Sequence, residues 1–164
     1  MSSRAHRGFE RLLNILLGSA SLAGVDIASA AFTMTEIVTP DLGTALAGDP
    51  DRQFILNTDE TVGGTDAADL LFGAVSGQLE LAKTAGPQAA NILADNFSTL
   101  GGVAVNAVPC RYHTGSQLSC DGAGIDVTVQ STRTLYVGID LNTSQMHNGG
   151  DMASVTYDIT VAFV

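Results

Sequence analysis

The chain has 164 residues, with seven basic against seventeen acidic side chains and a formal net charge of −10 at pH 7. A surface of that sign repels nucleic acid and anionic membranes, so neither is an expected partner. Tryptophan is absent and glycine occurs 18 times; with abundant Thr, Val and Ala, this composition points to a β protein rich in turns.

The chain opens MSSRAHRGFERLLNILLGSASLAGVDIASAAFT. Arg4, Arg7 and Arg11 form a positive start, Leu12 to Val25 is mostly apolar, and Ala28, Ser29 and Ala30 supply the small residues that a signal peptidase accepts. The apolar run is 14 residues long and too short to span a bilayer. A type IV prepilin leader is the competing reading, because Gly8-Phe9 follows basic residues. Such leaders carry Glu at the fifth mature position, where this chain has Leu13. The expectation is a cleavable helical signal peptide over residues 1–30 and one mature domain over 31–164, secreted, periplasmic or at the cell surface. The mature part keeps Arg52, Lys83, Arg111 and Arg133 against fifteen acidic residues, a formal charge of −11.

Beyond the leader, AFTMTEIVTP reads as an extended segment ended by Pro40. RQFILN offers a strand around Gln53 to Asn57. TDAADLLFG is a helical turn or a loop capped by Asp66. In GQLELAKTAGPQAANILADNF, Gly86-Pro87 interrupts an alternating pattern, and two strands joined by a turn are expected. GGVAVNAVPC is a short apolar strand. Two further runs follow at period two, Ile125/Val127/Val129 and Leu135/Val137/Ile139. The last stretch alternates most cleanly: Val155, Tyr157, Ile159, Val161 and Phe163 face one way and Thr156, Asp158, Thr160 and Ala162 the other. Seven or eight short strands with turns between them and no long helical pattern predict an all-β, antiparallel sandwich.

Both cysteines lie in PCRYHTGSQLSC. In an exported protein Cys110 and Cys120 read most simply as a disulfide across a hairpin, contributing roughly 2–3 kcal/mol. Zinc would need four ligands, and only His113 lies near, with His147 on a distant turn. Two free thiols are the third option; a redox pair is disfavoured because the motif is not Cys-x-x-Cys. Asp49, Asp51, Asp66 and Asp69 sit in acidic turns that could attract calcium, yet none has the spacing of a calcium loop. No G-x-S-x-G supports a hydrolase, and no Lys-Ser/Thr completes a phosphate loop. NFS at Asn96 and NTS at Asn142 are glycosylation patterns in a eukaryotic host. No catalytic residue, metal or cofactor is expected.

The residues LYVGIDLNTSQMHNGGDMASVTYDITVAFV, together with PDLGTA, GGTDAADLL and ILADNFSTLGG, resemble the DUF4402 family of small exported bacterial proteins. The likeness covers most of residues 35–164 and implies an immunoglobulin-like or pilin-like sandwich with no catalytic residues. A looser similarity is to chaperone–usher pilins and spore-coat-U-type subunits, which are exported, carry one disulfide and end in an alternating apolar strand. In those proteins a missing strand is supplied by a neighbour, so subunits polymerise. That resemblance implies a donor strand at Ala31, Phe32, Met34 and Ile37, and a C-terminal strand at Val155, Tyr157, Ile159, Val161 and Phe163 that a periplasmic chaperone would cap. The expected function is thus a non-enzymatic structural or interaction subunit of pilus-like or adhesin type, partnered by strand addition. The alternative is a monomeric secreted binding module for carbohydrate or calcium.

Overall fold

The computed structural model describes residues 10–17 (as backbone only), 32–46, 48–148 and 150–164. The fold is all-β: two sheets pack face to face around one apolar core. The larger sheet contains β1 (Glu10–Leu17), β2 (Phe32–Val38), β3 (Asp41–Ala45), β6 (Leu70–Phe72), β7 (Gly77–Leu100), β9 (Pro109–Tyr112), β10 (Leu118–Ser119), β11 (Ile125–Val137) and β13 (Ser154–Phe163). The smaller contains β4 (Gln53–Leu56), β5 (Val62–Gly63), β8 (Val103–Ala107) and β12 (Ile139–Thr143). Across the large sheet the order is β10-β9-β11-β7-β13-β1-β3-β6, with β2 beside the first half of β7; the small sheet runs β5-β4-β12-β8. All pairings are antiparallel except that of β1 with β13.

Period-two alternation explains the core. From the large sheet Leu79, Leu81, Ile92, Leu135, Val137, Val155, Tyr157 and Ile159 point inward; Phe54, Leu56, Ile139 and Leu141 meet them from the small one. Full burial of each such side chain contributes roughly 1.5–3 kcal/mol. The C-terminal alternation holds: Val155, Tyr157 and Ile159 are buried, and Val161 packs partly buried against the same core.

The fold has more strands than the seven or eight expected, because the chain changes sheets within runs that read as single strands. GGVAVNAVPC divides into β8 and β9 on opposite sheets, with buried Val108 at the crossing. The run Leu135/Val137/Ile139 divides likewise, β11 giving way to β12 at Gly138. A Cβ at Gly138 would lie 2.0 Å from the Leu56 carbonyl oxygen, so only glycine lets the chain cross this close to β4.

The turn expected at Gly86-Pro87 is a bulge instead. Lys83 pairs Ser131 and Gln88 pairs Val129, so four residues of β7 bow out opposite one residue of β11 and the strand continues in the same direction. Pro87 sits where the ladder is already interrupted, so its missing N–H leaves no gap. TDAADLLFG supplies a single 3-10 turn at Ala67–Asp69; Asp66 precedes it without capping it.

The helix expected in the leader is not what residues 10–17 form. Glu10–Leu17 is a strand, inserted between β13 and β3. Short helices are marginal in isolation, whereas two adjacent strand edges offer a ready-made ladder on both sides. The rest of the leader, with its expected cleavage residues and Ala31, lies outside the described residues.

Candidate interaction site

One flank of the large sheet is built around a slot one strand wide. Its walls are β13 and β3, each paired on its far side, to β7 and to β6 respectively. β1 occupies the slot. It runs parallel to β13, with Asn14, Ile15, Leu16 and Leu17 opposite Ser154, Val155, Thr156 and Tyr157. It runs antiparallel to β3, from Glu10 opposite Ala45 to Asn14 opposite Asp41, with irregular register about Leu13. Without β1 the backbone of β13 over Ser154–Tyr157 and that of β3 each have an unpaired edge. Such edges are templates for another strand.

The walls carry buried side chains: Leu42 and Ala45 on β3, Val155 and Tyr157 on β13. Burial raises the Tyr157 hydroxyl above its usual range, with the Glu36 carboxylate adding in the same sense, and that hydroxyl makes no hydrogen bond among the described residues. Next to the slot's end the chain turns at Gly101 (φ +79), where a Cβ would lie 2.2 Å from the Met152 carbonyl oxygen. The His147 ring nitrogen Nε2 lies 2.7 Å from the Gly101 carbonyl. Around this turn stand Leu100, Met146 and Met152, exposed by 73%, 58% and 59%.

The expected donor residues lie elsewhere. Phe32, Met34 and Ile37 are in β2, which pairs within its own molecule along β7, Phe32 opposite Lys83 and Met34 opposite Leu81. Phe32 meets Phe163 edge to face at 5.0 Å, so the ends of β2 and β13 abut over the middle of β7. Ile37 is exposed.

The opposite flank is closed. Cys110 and Cys120 form a disulfide with Cα atoms 5.6 Å apart, and both are fully buried. The link is diagonal: Cys110 stands opposite Leu118, while the Cys120 N–H donates to the Val108 carbonyl at 2.9 Å. Arg111 lies 4.2 Å over the Tyr136 ring and donates to the Thr58 hydroxyl at 3.3 Å and carbonyl at 3.2 Å. Thr58 in turn donates from its N–H and its hydroxyl to Gln117 at 2.9 and 2.8 Å, which fastens the hairpin to the turn after β4.

With both thiols in a disulfide, the zinc set is dissolved: His147 is buried at Gly101 and His113 sits on an exposed turn. Two of the four acidic residues expected to attract calcium are turned toward an arginine. Asp66 and Asp69 both face the buried guanidinium of Arg52, which also donates to the Leu46 carbonyl at 2.6 Å. Hydrogen bonds from the Thr65 hydroxyl and the Gln53 N–H, with the Arg52 charge, hold Asp66 below the usual carboxylate range. Among the described residues no group of three or more His, Cys, Asp or Glu could hold a metal. An open groove of about 320 Å³ lies beside Phe97, Val105, Asn106 and Asp121. Its polar groups are already engaged. Asn106 donates to Asp140 and Asn142, and Asp121 accepts from Ser119 and Val108. Phe97, itself 40% exposed, has its ring centroid 5.9 Å from that of Tyr157 in a tilted contact.

The chain finds no match among protein-family models, curated proteins or solved structures.

Neither the slot nor the apolar turn was visible as a motif. The slot is defined by which strands fail to touch, and no local pattern encodes that. The turn did leave one trace: Leu100 directly before Gly101-Gly102 places a large apolar residue where a turn keeps it in water.

Proposed function

We propose that the chain is an exported, non-enzymatic structural or interaction subunit that accepts a strand at the slot between β13 and β3. One observation carries this reading: the strand that fills the slot comes from the segment expected to leave as a signal peptide. Removal of residues 1–30 leaves β13 and β3 as two facing edges one strand apart, and main-chain hydrogen bonds to an added strand supply affinity there. Leu100, opposite Ser154 at the start of β13, and Met152, two residues before it, are exposed apolar side chains near that opening. The resemblance to DUF4402 proteins and to pilin-type subunits fits the same role, at the cell surface or in the periplasm.

The test is the native mass of the mature protein isolated from the outside of its host. Dimers, ladders or filaments, or a partner protein bound through the slot, are expected. A clean monomer that stays monomeric on concentration would overturn the reading and turn attention to the groove beside Phe97.

A further inference from the structure

We infer that the leader strand β1 is an internal placeholder: before processing it occupies the acceptor slot of its own chain, and its removal makes the protein competent to accept a strand. The inference rests on the strand-addition reading above. It follows from three placements. Among the described residues β1 is the one strand between β13 and β3 in the sheet order. It pairs with both walls at once, over Ser154–Tyr157 on one side and Asp41–Ala45 on the other, so while it is seated neither wall offers an edge. And it precedes Ala30, after which the leader is expected to be cut. Hydrolysis of the Ala30–Ala31 bond consumes one water and yields a carboxylate on Ala30 and an amine on Ala31. No contact within the slot changes at that step. What changes is the tether.

The tether decides the outcome. A strand held on the same chain competes at an effective concentration in the millimolar range, and an outside strand at micromolar concentration cannot displace it. After the cut, the leader becomes a separate short peptide that dilution removes. The chain thereby passes from a self-satisfied sheet to an open one, and premature association of precursors is blocked by a segment lost at the moment of maturation.

The experiment uses the full chain, folded and oxidised in vitro, with a recognition sequence for a site-specific protease in place of residues 25–30. The probe is a fluorescent peptide with the sequence of Glu10–Leu17. The uncut chain is expected to take up the peptide at least about 100-fold more weakly than the cut chain, because the tether is lost on cutting. An uncut Leu16→Pro chain, whose strand lacks an N–H opposite Thr156, should take up the peptide as the cut chain does. Strong and equal uptake before and after the cut would overturn the placeholder and leave the strand-addition reading standing. Uptake by the Leu16→Pro chain alone would overturn cleavage as the trigger. No uptake by any of the three would overturn the strand-addition reading itself, and the placeholder with it.

Discussion

Two regions of the large sheet treat unpaired backbone in opposite ways. A terminal strand exposes an unpaired edge, and so does a gap between two strands inside a sheet. At the β10–β9 flank the edge is two residues long, cross-linked by Cys110–Cys120 and tied by Arg111 and Gln117 to Thr58 on the turn after β4. At the β13–β3 flank the ladder is continuous only because a segment from the leader completes it. The first flank is fixed by its own residues. The second depends on β1, a strand from the far N-terminal part of the chain. Stability is unevenly distributed in proteins, and elements that exchange or bind are drawn from its weaker end.

The largest effect should come from the closed flank, where the chain crosses between sheets. The Gly138 N–H donates to the Pro109 carbonyl at 2.7 Å, and a Cβ there would press into the Leu56 carbonyl. Gly138→Ala is expected to cost about 3 kcal/mol or more, since backbone on both sides must shift. Denaturant unfolding of the oxidised protein would measure it. A loss under 1 kcal/mol would show that β4 and β12 yield easily, and that the closed flank is less fixed than its packing implies.

Much of this frame was legible from residues, and the reason is periodicity. MASVTYDITVAFV announced a half-buried strand because alternation reports directly on which face meets a core. The hairpin disulfide was legible from two cysteines with a turn-forming spacer between them. The sheet changes at Val108 and Gly138 were not, because alternation continues unbroken through a crossing and says nothing about which sheet receives the next residue. The bulge at 84–87 was misread as a turn since Gly-Pro marks both. The engagement of Asp66 and Asp69 by Arg52 escaped notice because it joins positions that share no element, and acidic turns look alike whether they face solvent, a cation or an arginine.

Next in size is the cross-link itself. Replacing Cys110 and Cys120 by serine, or reducing the protein, is expected to lower stability by about 2–3 kcal/mol, the value for a loop of this length. Peptide uptake at the slot should be unchanged once the variant is studied at a temperature where it remains folded. If loss of the disulfide also opened the slot to strands, the two flanks would be coupled, and the contrast between them would fail.

A smaller effect, with a definite pH dependence, is expected at Asp121, directly after Cys120. Burial raises its carboxyl, but hydrogen bonds from the Ser119 hydroxyl and the Val108 N–H outweigh burial and leave it lowered from 3.8. A lowered group contributes its stability in full above the unfolded value, and that contribution is lost as pH falls through the folded one. Asp121→Asn should therefore be less stable than the parent at neutral pH, by about 1 kcal/mol at most, because a neutral acceptor replaces a charged one. The difference should shrink as pH falls below the ordinary carboxylate range and the parent carboxyl takes up its proton. Thermal melts across that range give the answer. A difference independent of pH would assign the loss to packing rather than charge.

The smallest change in stability should accompany the largest change in behaviour. Leu100 and Met152 stand exposed beside the slot, whereas Leu118, 57% exposed, stands on the closed flank. Lysine at any of the three should alter stability by no more than about 0.5 kcal/mol, because exposed positions have little packing to lose. Association should separate them. Leu100→Lys with Met152→Lys is expected to weaken self-association or partner binding of the mature chain by desolvating two charges at the contact. Leu118→Lys should leave association as it was. Sedimentation of the two variants at matched concentration makes the comparison. Equal weakening by both would place the contact across the whole surface. Weakening by Leu118→Lys alone would move it to the disulfide hairpin, and the open flank would then be an edge that the protein tolerates but does not use.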